Sequence, residues 1–427
     1  MRILVEPSDI ILRNAGDSAM LIVALRRLRS EFPDARITVL TQDEEALRAY
    51  APDVEPLSAH GRNTWAADLL LVHHLRRLPP PLVAAVRAIA HTLRRHAPSA
   101  VRALLRIKTR VRCRFGDELS QYLSAVATSD LVIVAGGGGL TDVFSGYALA
   151  FLETLELALE QGKPVALLGQ GVGPAESKQL RRRMQSVLRR ASLIALREEL
   201  AGRPLLRELS IGEERIVTTG DDAIELAYER RPAKPGVGLG VNVRVAAYAG
   251  VEIGDARSIR AVVVAAAQRL AAPIVALPIS RYEIDSDFAT LQQLFPEAPL
   301  PEAPAFDAGK AIDLVGECRI VIAGSYHAAV FALSMGVPAV CIASSPYYVD
   351  KFNGLAAQFG AGCHVELLRA ADFPARLERS IEAAWGEADA IRPRLLDAAA
   401  RQIDAGKQAY HALRAIVNSS NRSRHAR

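Results

Sequence analysis

Short apolar segments that alternate with helical segments constrain the fold of this chain more than any other feature. The apolar segments of the first half are 2–7, 37–41, 131–137, 165–171, 192–198 and 215–223. Between several of them, apolar residues recur at helical spacing, as at 17–32 and 146–161. Strands that are apolar throughout and are joined by helices form a parallel sheet covered on both faces. The first half is therefore predicted to be a doubly wound α/β unit.

The same pattern restarts after a charged, proline-rich segment, RRPAKPG at 230–236, which we interpret as a linker. Apolar strands are predicted at 237–244, 274–280, 319–325 and 339–344, and an amphipathic helix at 391–416. We predict three units: a Rossmann-like N-terminal domain at 1–229, a Rossmann-like C-terminal domain at 237–390, and a C-terminal helix and tail at 391–427. Ligands bind at the carboxyl ends of such strands, so a cleft between the two domains should hold the site.

Composition places the chain among ordinary globular proteins, since 50% of its 427 residues are hydrophobic and 23% are charged. No apolar run has the roughly 20 residues that a bilayer crossing needs. The N-terminus has the pattern of a strand rather than of a signal peptide. The four cysteines lack CxxC spacing, which argues against a metal or redox site. We expect a cytoplasmic protein without a bound metal.

The segment 81–114 is basic, and the chain has no acidic residue between Asp68 and Asp117. Aliphatic and basic positions alternate there at roughly helical spacing. The segment can be a solvated helical face, a surface that docks on anionic lipids, or a nucleic-acid contact. Aromatic residues make up only 5% of the chain and nucleic-acid motifs are missing, so we expect no nucleic-acid partner. Lipid docking would make the protein peripheral at the inner face of the plasma membrane.

Two glycine-rich loops follow predicted strands, AGGGGLTD at 135–142 and GQGVGP at 169–174. Neither the P-loop pattern nor the dinucleotide fingerprint fits the first loop. Backbone N–H groups at such strand ends can reach anionic oxygens, although a tight turn required by packing would also explain the glycines. The candidate substrate-binding residues in these loops are Gly136, Gly137, Gly138, Gly139, Gln170 and Gly171.

The loop after the first strand reads NAGD, and it adds Asn14 and Asp17 to the candidate binding residues. Asp17 can cap the helix that follows, can contact a ligand, or can do both.

Three further side chains are predicted to lie at the carboxyl edges of the two sheets. His327 falls in the first turn of a helix, where a histidine can bind anions or transfer protons. Arg197 and Arg244 each end an apolar strand, and a guanidinium there suits phosphate or carboxylate. The alternative for each arginine is a surface ion pair.

Seven motifs occur in the order seen in polysaccharide pyruvyl transferases, and the chain resembles that family over roughly residues 10–365. The motifs are NAGDSAML (14–21), GGGGLTD (136–142), GQGVGP (169–174), LREE (196–199), GDDA (220–223), GVNVR (240–244) and SYHAAVFALSMGVPAV (325–340). The resemblance implies a fold similar to the GT-B glycosyltransferases, with two Rossmann-like domains facing a central cleft. It also implies transfer of a pyruvyl group from phosphoenolpyruvate to a sugar as a ketal, with no further cofactor.

The resemblance also implies roles for individual residues. Arg197 looks like the family arginine that binds the donor, and His327 looks like the histidine of the family's Arg-x-His motif, so both are catalytic candidates. Ser325 stands where that motif has arginine, and the neighbouring Tyr326 joins Ser325 in the candidate binding set. Lys351 falls close to a lysine of the family's last motif and could replace the missing positive charge.

Three functions remain open from the sequence. The first is a pyruvyl transferase whose partners are phosphoenolpyruvate and a glycan or lipid-linked sugar acceptor, with the acceptor on the N-terminal side and the donor on the C-terminal side. The second is a GT-B glycosyltransferase that uses a nucleotide-sugar. The third is a non-catalytic member that binds glycans or anions. The segment 325–340 has no acidic residue to hold a ribose, which favours the first over the second.

Overall fold

The computed structural model describes residues 1–66, 116–302 and 307–425, together with isolated positions between 67 and 115. The basic segment 81–114 falls almost entirely outside the described residues, so its helices and its lipid contact stay predictions. Within the described residues, no helix has the length and hydropathy that a bilayer crossing requires.

Within the described residues, the first sheet has seven parallel strands in the order β3-β2-β1-β4-β5-β6-β7. The strands are β1 (Arg2–Pro7), β2 (Arg36–Thr41), β3 (Glu55–Ser58), β4 (Leu131–Ala135), β5 (Val165–Gln170), β6 (Leu193–Leu196) and β7 (Ile216–Thr218). Alternate residues of β1 pack into different apolar clusters, Leu4 into one and Ile3 and Val5 into another. Both faces of this sheet are therefore buried, as continuous apolar strands predict.

The second sheet has five parallel strands in the part of the chain that the structure describes, in the order β12-β11-β10-β8-β9. The strands are β8 (Gly238–Asn242), β9 (Ile274–Ala276), β10 (Cys318–Ala323), β11 (Ala339–Ala343) and β12 (Cys363–Leu367). The strand order reverses between β8 and β10 here, and between β1 and β4 in the first sheet. Loops that leave neighbouring strands in opposite directions open a crevice, so these two points are where each sheet can bind a ligand.

Helices connect the strands of both sheets. The described α-helices are α1 (Ala15–Glu31), α2 (Glu44–Tyr50), α3 (Ala59–Ala66), α4 (Gly116–Thr128), α5 (Ser145–Glu160), α6 (Lys178–Leu188), α7 (Gly202–Glu208), α8 (Ala223–Glu229), α9 (Ile253–Leu270), α10 (Asp287–Leu294), α11 (Ala308–Gly316), α12 (Tyr326–Ser334), α13 (Pro346–Phe359) and α14 (Phe373–His425). The edge strands β3 and β12 were not predicted, because each is short and carries polar residues.

The last helix, α14, begins at Phe373 rather than at residue 391 as predicted, and it passes through Pro393 without a break. A proline inside a helix removes one hydrogen bond and normally interrupts the helix. Here both parts of the helix are anchored, because Leu377 packs in the core of the second sheet and Leu413 in a core of the first. The helix therefore joins the two halves of the chain.

Backbone pairing also joins the two halves at the carboxyl ends of their strands. The loop after β1 and the loop after β9 run antiparallel, with Asn14 bridged to Ser280. The amide of Ala15 donates to the carbonyl oxygen of Ile279 at 2.9 Å. Main-chain hydrogen bonds thus fix the distance between the two sheets directly beside their crevices.

A buried ionic cluster secures α14 against α1 and α8. The Asp222 carboxylate accepts from Arg27 Nη1 at 2.6 Å and from the Tyr410 hydroxyl at 3.0 Å, and Arg27 also binds Glu225. Burial raises the pKa of Asp222, and Arg27 opposes that change. The carboxylate therefore depends on its partners to stay charged.

Replacing Arg27 by methionine should lower the free energy of unfolding by about 3–5 kcal/mol, because it leaves Asp222 buried without its ionic partner. Arg26→Met is the matched control, since Arg26 is exposed and pairs with the exposed Glu229; it should cost less than about 1 kcal/mol. Urea unfolding followed by circular dichroism measures both. Equal losses in the two variants would contradict the importance of the buried cluster.

Candidate active site

A cavity of about 720 Å³ is lined by residues from both halves of the chain. The predicted site residues that line it are Asn14, Asp17, Gly138, Gly139, Arg197, Arg244, Ser325, Tyr326, His327 and Lys351. Gly171 lines a small neighbouring pocket together with Arg197 and Lys351. Gly136, Gly137 and Gln170 line neither. The cavity lies where the crevices of the two sheets meet.

Arg197 directly follows β6 and is almost fully buried, with 2% of its surface exposed. Its Nη1 donates to Asp221 Oδ2 at 3.3 Å, and its guanidinium carbon lies 4.1 Å from the ring centre of Tyr326. Within the described residues, its Nε and Nη2 are buried and have no hydrogen-bond acceptor. Unpaired buried donors are costly, so these two nitrogens favour an anionic ligand. The ion pair predicted as the alternative exists, but it is buried and uses only one end of the guanidinium.

Arg197 also explains two glycines of the glycine-rich loops. A Cβ built on Gly138 would lie 2.6 Å from Arg197 Nη2 and 3.0 Å from Lys351 Nζ. A Cβ built on Gly171 would lie 2.7 Å from Arg197 Nε. The two loops therefore lack side chains at these positions because a buried guanidinium packs against their backbone.

Gly136 and Gly137 have a conformational requirement instead, with φ values of +65° and +105°. Residues with a Cβ rarely adopt such values. Added Cβ atoms would also approach Met20 at 2.8 Å and Ser8 at 2.5 Å. Both glycines serve the turn and its packing, which was the alternative to ligand contact.

Gln170 and Gly139 also hold the glycine-rich loop in place. The buried Gln170 side chain donates to the carbonyl oxygens of Leu168, at 2.9 Å, and of Gly136. A Cβ on Gly139 would lie 2.6 Å from the ring of Tyr147. Gln170 thus supports the loop from the protein interior and does not line the cavity.

His327 lies in the first turn of α12, with 8% of its surface exposed. Its Nε2 is 3.8 Å from Asp221 Oδ2, so Asp221 lies between the histidine and Arg197. Burial raises the pKa of Asp221, but His327 and Arg197 outweigh this, and the pKa lies below its ordinary value. The structure thus adds Asp221 to the candidate site. Its signal in the sequence was the GDDA motif at a strand end.

The N-terminus of α1 packs directly against His327. A Cβ on Gly16 would lie 1.9 Å from His327 Cγ, closer than any real contact. Asn14, not Asp17, caps this helix, because its side-chain oxygen accepts from the amides of Gly16, at 3.0 Å, and Asp17. Asp17 sits one turn further on and accepts from the Ser8 hydroxyl at 2.7 Å. Of the two roles left open for Asp17, capping thus falls to Asn14, and the Asp17 carboxylate lines the cavity.

Arg244 lines the cavity, yet its donors are used within the protein. Its Nε and Nη2 bind the two carboxylate oxygens of Asp287 at 2.6 and 2.8 Å, and its Nη1 donates to the Tyr248 hydroxyl at 2.8 Å. The pair is buried, unlike the surface ion pair considered as the alternative. Arg244 therefore anchors Tyr248.

Lys351 lies beside Arg197 and lines the same cavity as Ser325. Its Nζ donates to the Tyr347 hydroxyl, which in turn donates to the carbonyl oxygen of Gly138 at 3.2 Å. Burial, assisted by Arg197, holds the pKa of Lys351 well below its ordinary value. The Ser325 hydroxyl is buried and has no hydrogen-bond partner among the described residues. Ser325 and Lys351 thus line the same cavity, and the replacement of the family arginine by Lys351 stays a prediction.

A family model described as polysaccharide pyruvyl transferase matches residues 14–346, which include Arg197 and His327. The chain belongs to the polysaccharide pyruvyl transferase family. The predicted family is thereby confirmed. No curated protein matches the chain. Within the described residues, no cluster of three His, Cys, Asp or Glu side chains could hold a metal ion.

Solved structures show what fold this pyruvyl transferase family member has. The glycotransferase of kitacinnamycin has a TM-score of 0.53 and 12% identity, with 98% of each chain covered. The UDP-GlcNAc 2-epimerase from Neisseria meningitidis has a TM-score of 0.51 and 13% identity, and the match covers 95% of this chain and 99% of that one. The putative UDP-N-acetylglucosamine 2-epimerase from Listeria monocytogenes has a TM-score of 0.54 and 11% identity, and the match covers 95% of this chain and 93% of that one. These identities are low enough that the likeness shows the fold alone, and the predicted GT-B-like fold is confirmed.

Replacing Gly16 by alanine should displace His327 or separate α1 from α12. We expect a loss of about 1–3 kcal/mol in the free energy of unfolding, because the added methyl has no space. Gly254→Ala is the control, since a Cβ there meets nothing within 4 Å; in the first turn of α9 it should leave stability unchanged or slightly higher. Denaturant midpoints compare the two variants, and identical midpoints would show that Gly16 does not pack on His327.

The affinity of the site for inorganic phosphate should fall with rising pH earlier than an ordinary lysine would allow. The pKa of Lys351 is lowered, so Nζ loses its charge below the usual value of about 10.4. Lys351→Arg keeps its charge at all these pH values and should flatten the curve. Calorimetric titration with phosphate between pH 7 and 10 measures this, and the same fall in both proteins would contradict it.

Proposed function

We propose that this protein transfers the pyruvyl group of phosphoenolpyruvate to a sugar of a cell-surface glycan or of its lipid-linked precursor, forming a ketal and releasing phosphate. One observation carries the proposal. Arg197, His327 and Lys351, which we call the cation corner, line one cavity, and Arg197 has two buried donors without acceptors in the described chain. Membership of the pyruvyl transferase family supports the same activity.

Phosphoenolpyruvate carries a carboxylate and a phosphate, and the cation corner has groups for both. The free Nε and Nη2 of Arg197 form one edge of a planar fork, which suits a bidentate bond to either anion. Lys351 places its Nζ close to the same guanidinium, since both lie near a Cβ built on Gly138. An anion bound there favours the charged form of this amine. We propose that Lys351 replaces the arginine that Ser325 lacks. The cation corner draws on both halves of the chain, and the division into acceptor and donor domains stays a prediction.

The bonds and protons of the proposed reaction are accounted for by phosphoenolpyruvate and two acceptor hydroxyls. One acceptor hydroxyl oxygen bonds to C2 of phosphoenolpyruvate while C3 takes a proton and becomes a methyl group. The second hydroxyl oxygen bonds to C2, and the bond from C2 to the phosphate oxygen breaks. Of the two hydroxyl protons lost, the methyl group accounts for one and the released phosphate for the other.

His327 is the proposed acid that protonates C3. A positioned acid of this kind contributes roughly 10²–10⁴-fold to a rate. The Asp221 carboxylate lies 3.8 Å from Nε2 and holds the imidazole in position. We therefore assign Asp221 the role of orienting both His327 and Arg197.

Donor binding is the first test. Phosphoenolpyruvate should raise the melting temperature of the wild type, and Arg197→Lys should weaken its binding about 10–100-fold, because the fork is lost while the charge remains. Arg203→Lys is the matched control, since Arg203 pairs with Glu213 outside the cavity. Stabilisation by UDP or GDP without stabilisation by phosphoenolpyruvate would overturn the proposal in favour of a nucleotide-sugar transferase.

Transfer is the second test. The acceptor is the surface polysaccharide of the cells that make the protein, after mild acid has removed its ketals. With ¹³C-labelled phosphoenolpyruvate, the wild type should produce a ketal methyl signal by NMR. His327→Gln should lower that rate at least about 100-fold while donor affinity changes only a few-fold. A wild-type rate in this variant would remove the acid assignment.

A further inference from the structure

The cavity has an aromatic part that the donor chemistry does not use. Seven of the 24 residues that line it are aromatic, in a chain that is 5% aromatic. Tyr326 and Tyr347 serve the cation corner, as described above. Tyr348 lies near Lys351, with Nζ 5.9 Å from its ring centre, and Tyr147 packs on Gly139. Within the described residues, Phe144 and Tyr248 have no hydrogen bond to the cation corner, so their place in the cavity requires a separate explanation.

Phe144 and Tyr248 form the centre of this aromatic part. Phe144 follows the first glycine-rich loop and Tyr248 follows β8, so one ring comes from each half of the chain. Their ring centres are 5.4 Å apart at an angle of 60°. Both rings are half-buried, and two buried rings support them: Tyr347 lies 5.7 Å from Phe144, and Tyr348 stacks on Tyr248 at 6.3 Å. Two half-buried rings thus pack on two buried ones.

The buried ion pair behind Tyr248 helps to hold this ring in place. Arg244 and Asp287 are both buried, and a buried ion pair contributes little net stability because both charges lose their water. Arg244 uses Nη1 to hold the Tyr248 hydroxyl at 2.8 Å. The pair therefore fixes the position of one ring, which is what a binding surface needs.

We propose that Phe144 and Tyr248 form the acceptor subsite, where the C–H face of a pyranose ring packs on the two aromatic rings. The proposal rests on the proposed function, because it assigns the sugar half of the same reaction. A pyranose has an apolar face and a rim of hydroxyls, and the cavity matches both with aromatic rings and the polar side chains of Ser8 and Asp17.

The rings lie close enough to the cation corner for a sugar bound on them to be the acceptor of the reaction, and not a sugar bound at a separate site. Phe144 packs on Tyr347, and the Tyr347 hydroxyl accepts from Lys351 in the cation corner. A sugar on the rings therefore has its hydroxyls beside the donor position. Asp17, which lines the same cavity, presents a carboxylate that can accept a hydrogen bond from such a hydroxyl.

The test uses saturation-transfer NMR with the methyl glycosides of glucose, galactose and mannose as probes, in the presence of phosphoenolpyruvate. At least one glycoside should receive saturation at its ring C–H protons from the wild type. Phe144→Leu and Tyr248→Leu keep apolar bulk but lose the ring, and each should reduce the transfer at least five-fold. Tyr248→Phe keeps the ring and should retain more transfer than the leucine variant.

Tyr228→Leu is the matched control, because Tyr228 is a half-buried tyrosine on α8 that does not line the cavity; it should behave as the wild type. Melting curves confirm that each variant is folded at the temperature used. Phosphoenolpyruvate affinity should stay within two-fold of the wild type in all variants.

The proposal is overturned if no glycoside receives saturation from a wild type that binds phosphoenolpyruvate, or if the leucine variants retain full transfer. It is also overturned if uridine or adenosine, rather than a glycoside, binds and is lost in the same variants. Absence of phosphoenolpyruvate binding in the wild type is a different result, because it contradicts the proposed function itself.

Discussion

The burial of the Arg197 guanidinium is the constraint on which the candidate site depends. Removing a charge from water costs several kcal/mol unless partners compensate. Asp221 and the ring of Tyr326 compensate in part, while Nε and Nη2 stay unpaired within the described chain. The guanidinium fits only because Gly138 and Gly171 have no side chains. A single cation is therefore contacted by both glycine-rich loops, by the loop of Asp221 and by the helix that begins at Tyr326. Its unpaired donors can bind an anion.

The topology of the two sheets explains why these groups meet. Each described sheet has one point at which its strand order reverses, and the loops that leave strands there carry Asn14, Gly138, Arg244 and His327. Arg197 reaches the same cavity from the end of β6, further along the first sheet. Main-chain pairing of Asn14 with Ser280 then fixes the two crevices against each other. Gly16 completes the contact, because only a residue without a Cβ lets His327 lie against the start of α1. The site therefore exists only where the two halves of the chain meet. Helix α14 strengthens that contact, because its Tyr410 hydroxyl donates to Asp222.

Much of the fold could be predicted from the sequence because apolar strands and helical spacing are local signals. The predictions were poorest where local signals conflict with packing. Pro393 lies inside α14, where burial at both ends of the helix outweighs the lost hydrogen bond. Asn14 rather than Asp17 caps α1, a choice between two good capping residues that the backbone angles decide. Gln170 was assigned to substrate, yet its side chain supports a loop from inside the protein.

The sequence by itself determined the family, the GT-B-like class and ten of the 24 residues that line the cavity, because motifs at strand ends are read along the chain. Only the tertiary structure decided which of them are free to bind. Arg197 and Arg244 look alike in sequence, each at the end of an apolar strand, but Asp287 occupies Arg244 while Arg197 keeps two donors unpaired within the described residues. The aromatic rings beside them come from distant segments, and no local pattern relates Phe144 to Tyr248. Partners that are remote in sequence are chosen by how the two halves pack, and that choice separates anchoring residues from binding ones.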